Sequence, residues 1–252
     1  MEESFKQDLK YLGLKHLERN WDSVLKQAQK QKPSYSTLLH DIICQECALK
    51  TETQRINRIK NAKIPEMLIM ETFPFTRQPK LKKKLVLQVY DSLQYIKEQQ
   101  VLLFVGPTGC GKTGLATSFL VHAINNNWRG MFIDFKQLMT KLYQSCADNS
   151  STRMIKKLTS IDCMLIDEFG YAPLQRQQAG LFFDLIKSRH KSKCTIITSQ
   201  LGFDKWPNVI NDTHLNAAII DRITENCAVF NMNRCVSLRK KKIIYGTDDN
   251  PL

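Results

Sequence analysis

The sequence lacks the long apolar run of a membrane-spanning protein: no stretch approaches the roughly 20 residues that a membrane helix needs. Its start, Met1–Asp8, is acidic and polar, so we expect that this stretch is not a signal peptide. No internal repeat or low-complexity tract is evident. Hydrophobic residues nevertheless make up 42% of the chain, which is enough for a packed core. We therefore expect a soluble cytoplasmic protein without membrane association.

The cysteines do not form the pattern of a zinc site. Cys44 and Cys47 make one C-x-x-C pair, and no second pair or nearby histidine completes a set of four ligands. Because the pair falls within an apolar helical pattern, buried free thiols are the better interpretation. An Asn-Lys-x-Asp motif, which recognises guanine, is also missing, and its absence argues against a GTPase.

Acidic residues are scarce relative to basic ones. The chain has 24 Asp and Glu against 37 Lys and Arg, so its formal net charge is +13. A small-molecule enzyme has no need of this excess, whereas a protein that meets a polyanion such as DNA does. A merely basic surface is the other interpretation, and the charge alone does not exclude it.

A strand, a glycine loop and a helix follow one another from Val101. The apolar run Val101–Val105 has the length of a buried parallel strand, and a helical apolar spacing begins after Thr113. Between them stands G-x-x-x-x-G-K-T, which in this context predicts a phosphate cradle. An ordinary glycine turn is the alternative, and the flanking elements argue against it. The residues expected around the nucleotide are Gly106, Pro107, Thr108, Gly109, Cys110, Gly111, Lys112, Thr113 and Gly114.

Two acids end a second apolar strand, Cys163–Asp167. Asp167 is expected to hold Mg²⁺ together with Thr113, and Glu168 to polarise the water that attacks the γ-phosphate. A further strand ends at Gln200, which is expected between the metal strand and the glycine loop, where its amide would orient that water. Two surface acids at a strand end are the alternative interpretation.

The chain changes character near residue 100. Before it, helical spacing predicts one helix that is broken at Lys32 and a second from about Ser36 to Asn61. After it, strand-like runs alternate with helical stretches, which predicts an α/β fold with a doubly wound parallel sheet. We expect a helical N-terminal domain at 1–66, a linker with a short helix at 67–99 and an ATPase domain at 100–252.

Four motifs together resemble those of IstB-type AAA+ ATPases, helper proteins of insertion sequences that are related to the DnaC helicase loader. They are the G-P-x-G-x-G-K-T loop, Leu165–Pro173, Thr195–Ser199 and Asp221–Ile223. The helical N-terminal region and the Phe-rich linker agree with this resemblance, which covers almost the whole chain. It implies a P-loop AAA+ fold without a C-terminal lid, since only a short tail follows the fifth strand.

The resemblance implies an enzyme that uses ATP and Mg²⁺, assembles as a homo-oligomer on duplex DNA and assists a transposase in the bacterial cytosol. It also maps an arginine finger, which acts in the site of a neighbouring subunit, onto Arg222. A salt bridge of Arg222 with Asp221 or Glu225 is the alternative. Two positions depart from the family pattern: Gln200 stands where Asn is usual, and Gly114 where a larger polar residue is common.

Two other functions remain open at this point. One is a helicase loader of the DnaC kind, with the same ATPase core and a different client. The other is a P-loop kinase for a small metabolite, which the water-activating acid Glu168 and the basic charge both disfavour.

For largely sequence-independent contact with DNA the expected basic clusters are Arg55, Arg58, Lys60 and Lys63; Lys82, Lys83 and Lys84; and Arg239, Lys240, Lys241 and Lys242.

Overall fold

The computed structural model describes residues 2–171, 173–210 and 212–239. These residues divide into two compact units, one that ends at Arg58 and one that begins at Ile59. Within the described part of the chain, no helix is long and apolar enough to span a bilayer.

Three helices begin the chain: α1 (Glu3–Leu12), α2 (Lys15–Gln31) and α3 (Tyr35–Asn61). The predicted helices α2 and α3 are confirmed, and α2 ends at Gln31 with Lys32, the predicted break, as its C-cap. The aromatic rings of Phe5 and Trp21 join α1 to α2 with their centroids 5.0 Å apart. Glu46 on α3 accepts a hydrogen bond of 2.6 Å from the backbone N–H of Leu17.

The interpretation of Cys44 and Cys47 as buried thiols is wrong. Both are exposed, because α3 buries none of its residues. Leu39 and Ile56 of this helix are exposed as well. The Sγ atom of Cys44 lies 3.6 Å from Nε2 of His40, one helical turn earlier.

The second unit is built on a parallel sheet of five strands in the order β2-β3-β4-β1-β5, which confirms the predicted fold class. The strands are β1 (Val101–Val105), β2 (Gly130–Asp134), β3 (Cys163–Phe169), β4 (Cys194–Ser199) and β5 (Cys227–Asn231). The helices are α4 (Lys83–Ser92), α5 (Gln94–Lys97), α6 (Lys112–Asn125), α7 (Phe135–Ala147), α8 (Ser151–Thr159), α9 (Arg176–Arg189) and α10 (Thr213–Thr224), and 3₁₀ turns occur at Met70–Thr72, Phe75–Arg77 and Phe203–Asn208.

Both faces of the sheet are buried, which explains why its strands are nearly continuous apolar runs. On one face Leu102 and Phe104 of β1 pack in a core with Phe119 of α6. On the other face Leu103 of β1 packs in a second core with Phe182 of α9. Because all five strands are parallel, their carboxyl ends meet at one edge, where ligands of open α/β sheets bind.

Candidate nucleotide-binding site

The glycine loop lies between β1 and α6 at this carboxyl edge. Gly109 and Gly111 have φ angles of 80° and 96°, in the left-handed region that glycine adopts without steric cost. Gly111 is also the N-cap of α6. The loop therefore ends where the helix presents its free N–H groups and the positive end of its dipole. This arrangement is suited to binding a phosphate group.

Lys112 begins α6 and is only 8% exposed. Its Nζ atom donates a hydrogen bond of 2.8 Å to the carbonyl oxygen of Pro107 in the same loop. Burial, which disfavours the charged ammonium, is the main cause that lowers the pKa of Lys112, while the carboxylates of Asp167 and Glu168 act in the opposite direction. The lysine is thus held at the loop, where an anion would stabilise its charge.

Asp167 and Thr113 meet as the sequence predicted. The Thr113 hydroxyl donates to the two carboxylate oxygens of Asp167 over 2.9 and 3.2 Å. None of the ion pairs among the described residues includes Asp167. Burial raises the pKa of Asp167, and its hydrogen bonds from Thr198 and Thr113 partly oppose that shift. A buried carboxylate beside a hydroxyl is an oxygen donor set of the kind that Mg²⁺ prefers.

Thr198 on β4 is a site residue that sequence analysis did not assign. Its hydroxyl donates to Oδ1 of Asp167 over 2.5 Å and accepts from the backbone N–H of Glu168 over 3.0 Å. The Thr198 side chain is 1% exposed. One buried hydroxyl therefore fixes both acids at the end of β3, using its donor for the carboxylate and its lone pairs for the amide.

Glu168 occupies an irregularity in β3. The β3–β4 register shifts between Ile166 and Phe169, and Glu168 has a φ of 59°, which is uncommon for a residue with a Cβ. Its side chain is exposed and lines the same cavity as the glycine loop. Glu168 therefore lies at a bulge of β3 that borders the cavity.

Gln200 follows β4, which lies between β3 and β1 as predicted. Its Oε1 atom accepts a hydrogen bond of 2.8 Å from the hydroxyl of Thr108 in the glycine loop. The amide is thus connected directly to the loop and lies beside Glu168 in the lining of the cavity.

The structure does not bring Arg222 close to the glycine loop of its own chain. It lies in the last turn of α10, just before β5, whose first residue Cys227 pairs with Val101 at the start of β1. The glycine loop follows the other end of β1, about 13 Å away at the usual rise per strand residue. Arg222 donates to the carbonyl oxygen of Ala218 over 2.8 Å, and its guanidinium lies 4.9 Å from the ring centroid of Phe183.

A cavity of about 600 Å³ joins the residues of the loop to those of β3 and β4. Lys112, Thr113, Glu168 and Gln200 line it. Because the loop, Glu168 and the amide of Gln200 converge here, and Asp167 is hydrogen-bonded to the lining residue Thr113, the cavity has the parts of a nucleoside triphosphate site.

The family model of the IstB-like ATP binding protein matches residues 7–244 of this chain. The chain belongs to this family. A protein described as an ATP-binding protein of insertion sequence IS21 from Pseudomonas aeruginosa is 30% identical over 89% of this chain and 84% of its own. The corresponding protein of IS232 from Bacillus thuringiensis is 29% identical over 91% of this chain and 92% of its own.

Solved structures show that the IstB-like chain has the AAA+ P-loop fold. The DnaC helicase loader superposes with a TM-score of 0.53 at 22% identity, covering 69% of this chain and 97% of that one. The replication initiator DnaA, bound to AMPPCP and single-stranded DNA, gives a TM-score of 0.56 at 14% identity over 68% of this chain and 51% of that one. The resemblance proposed from the sequence is thereby confirmed.

The linker of this IstB-like protein also contributes to the cavity, which sequence analysis did not predict. Leu68, Ile69 and Phe73 line it together with the glycine loop. A Cβ atom on Gly114 would lie 3.1 Å from Cδ1 of Leu68. The linker thus approaches α6 closely at Gly114, and a larger residue there would require the Leu68 side chain to shift.

The basic clusters assigned to DNA are only partly described. Arg55 forms a two-pronged hydrogen bond with Glu52, 2.8 and 2.7 Å long. Lys83 lies with its Nζ atom 5.5 Å from the ring centroid of Phe75. Arg239 lines the cavity. Lys240, Lys241 and Lys242 lie outside the described residues.

Proposed function

We propose that this IstB-like protein is a Mg²⁺-dependent ATPase that assembles on duplex DNA and assists a transposase. The observation that supports hydrolysis is the arrangement around one cavity: Lys112 and Glu168 line it, and Asp167 is hydrogen-bonded to Thr113 at its wall. A site that only stored a nucleotide would need the cradle and not a water-activating acid held in a strained backbone.

Each residue then has one role. Backbone N–H groups of the loop bind the phosphates, Lys112 reaches the β- and γ-phosphates, and Glu168 accepts a proton from the attacking water. Gln200 orients that water through its amide. Thr113 and Asp167 would hold Mg²⁺, which supplies charge neutralisation at the phosphates. Among the described residues no cluster of His, Cys, Asp and Glu could hold a metal by itself, which agrees with an ion that takes further ligands from phosphate and water.

Two substitutions test the chemistry because they should fail differently. Lys112→Ala removes a phosphate contact and should weaken ATP binding. Glu168→Gln keeps the shape of the side chain and should bind ATP while losing turnover by about 100-fold or more, the usual size of general-base catalysis. Binding is measured with a fluorescent ATP analogue and turnover by phosphate release. Normal hydrolysis by Glu168→Gln would refute the assignment of the base.

Arg222 is proposed to act in the site of a neighbouring subunit. Its position near the amino edge of the sheet, about the length of β1 from its own glycine loop, supports a role in trans rather than in cis. In the isolated chain the guanidinium is held at α10 by its cation–π contact with the ring of Phe183. On assembly this side chain would meet the phosphates of the next subunit, as arginine fingers do.

Contact with duplex DNA is proposed from charge. The net charge of +13 favours a polyanion, and the relatives of this chain are described as ATP-binding proteins of insertion sequences. Contacts to phosphates carry little sequence information, so binding should be similar on unrelated duplexes and should fall with salt at a log–log slope of about −0.9 per neutralised phosphate. A salt titration with and without a non-hydrolysable ATP analogue measures this. A flat salt dependence would contradict the proposal.

A helicase loader is the second candidate, favoured by the likeness of the fold to DnaC. The two functions differ in the protein that the ATPase assists, which is a transposase in the first and a replicative helicase in the second. If purified protein with ATP stimulates strand transfer by a transposase encoded beside its gene, the first is correct. If it instead loads a replicative helicase on single-stranded DNA and leaves the transposase unaffected, the second is correct.

A further inference from the structure

After β5 the chain returns across the outside of the glycine loop. Residues 232–239, which we call the C-terminal segment, begin with the Met232 N–H donating to the Val105 carbonyl over 2.7 Å. Near the other end the Leu238 N–H donates to the Gly109 carbonyl over 2.8 Å. Met232 is fully buried. The segment is thus hydrogen-bonded to the strand before the loop and to the loop itself.

Gln78 of the linker fixes this segment further. The side chain is fully buried, and its Nε2 atom donates to the carbonyl oxygens of Cys110 over 3.0 Å and of Val236 over 2.7 Å. Its Oε1 atom accepts from the Val236 N–H over 2.9 Å. In addition, Arg77 donates to the Leu238 carbonyl over 3.3 Å. One buried amide therefore joins the glycine loop to the C-terminal segment, which sets the position of the residue that follows Leu238.

The residue that follows Leu238 is Arg239. A Cβ atom built on Gly109 would lie 3.5 Å from both Cγ and Cδ of Arg239, so the side chain runs along the loop. Arg239 lines the cavity together with Lys112. No ion pair among the described residues includes Arg239.

We propose that Arg239 is a second cationic ligand of the nucleotide phosphates, supplied in cis by the C-terminal segment. This inference rests on the ATP site proposed above. Two cations at one cavity repel each other, and a polyanionic triphosphate between them would turn this repulsion into two attractions. A guanidinium also offers several N–H donors to phosphate oxygens, which a lysine ammonium cannot match in geometry. Arg239 is therefore assigned to the nucleotide rather than to DNA.

The test compares Arg239→Ala with Arg234→Ala, a matched control in the same segment. Arg234 is exposed, does not line the cavity, and its loss changes the net charge equally. Binding is measured with a fluorescent ATP analogue and, for the phosphates alone, by competition with tripolyphosphate. A lost charge-assisted hydrogen bond predicts affinities weaker by about 10- to 100-fold for Arg239→Ala with both ligands. Arg234→Ala should match the wild type, and Arg239→Lys should recover part of the loss.

The outcomes separate this inference from the proposed function. If wild-type protein binds ATP, Lys112→Ala does not, and Arg239→Ala binds within twofold of wild type, the assignment of Arg239 is overturned and the ATP site stands. Loss of DNA affinity in Arg239→Ala at unchanged ATP affinity would overturn it in favour of a DNA contact. If the wild type fails to bind ATP, the proposed function itself is refuted. Thermal unfolding without nucleotide should be unchanged in Arg239→Ala, because the side chain is exposed.

Discussion

Thr198→Val tests whether one hydroxyl organises the two acids. Valine keeps the shape of threonine and removes the donor to Asp167, 2.5 Å away, and the acceptor for the Glu168 N–H, 3.0 Å away. A hydrogen bond to a charged group contributes about 1.5–3 kcal/mol, and an unpaired backbone N–H costs about 1–3 kcal/mol. Since these effects overlap, we expect the free energy of unfolding to fall by about 2–4 kcal/mol.

The same substitution should alter the chemistry. In the wild type the hydrogen bond from Thr198 partly opposes the rise that burial causes in the pKa of Asp167. In Thr198→Val this bond is lost, so the pKa of Asp167 should rise further. More Mg²⁺ should then be needed for half-maximal ATP hydrolysis, and maximal turnover should fall because Glu168 is no longer fixed. Urea denaturation measures the stability, and phosphate release at graded Mg²⁺ concentrations measures the activity. Thr198→Ser, which keeps the hydroxyl, is the control and should retain the wild-type Mg²⁺ dependence. A Thr198→Val protein with wild-type stability and wild-type Mg²⁺ dependence would refute the reasoning.

Three further substitutions have defined outcomes. Because burial raises the pKa of Asp167, folding favours its protonated form, and the stability of the protein declines as pH rises through that pKa. Asp167→Asn should therefore be more stable than wild type in urea at pH 8 and should lose this advantage in acid. The same variant should hydrolyse no ATP. Arg222→Ala should bind ATP and hydrolyse it poorly, and mixing it with Lys112→Ala subunits should restore some turnover; an absence of recovery, with a monomer in light scattering, would contradict the trans role. Arg189 is 1% exposed and donates to the carbonyls of Leu158 and Ile161 over 2.8 Å each, so Arg189→Met should unfold about 3–5 kcal/mol more easily in urea.

The strands and the glycine loop were predictable because their signals are local. β1 and β3 are apolar runs whose ends carry G-x-x-x-x-G-K-T and two acids, and the strand that ends before Gln200 was expected between them. The roles of Glu168 and Gln200 remain predictions, but the structure does bring both to the cavity. For these elements a few neighbouring residues are enough to predict the local structure.

The remaining contacts could not be predicted because they join distant parts of the chain. Gln78 and Val236 are 158 positions apart, and neither belongs to a recognisable motif. Arg239 was assigned from the sequence to a basic cluster for DNA contact, and only the path of the C-terminal segment places it at the glycine loop. Cys44 and Cys47 were misjudged for a related reason: helical periodicity shows which residues share a face, not whether another element covers it.

The left-handed backbone of Glu168 means that the general base proposed above is held at a cost in stability. A residue with a Cβ at this φ costs about 1–2 kcal/mol, a cost that glycine avoids. The most stable residue at position 168 is thus glycine, which has no carboxylate. Directed evolution of this protein for heat resistance alone, without selection for turnover, should repeatedly recover glycine here and yield inactive survivors.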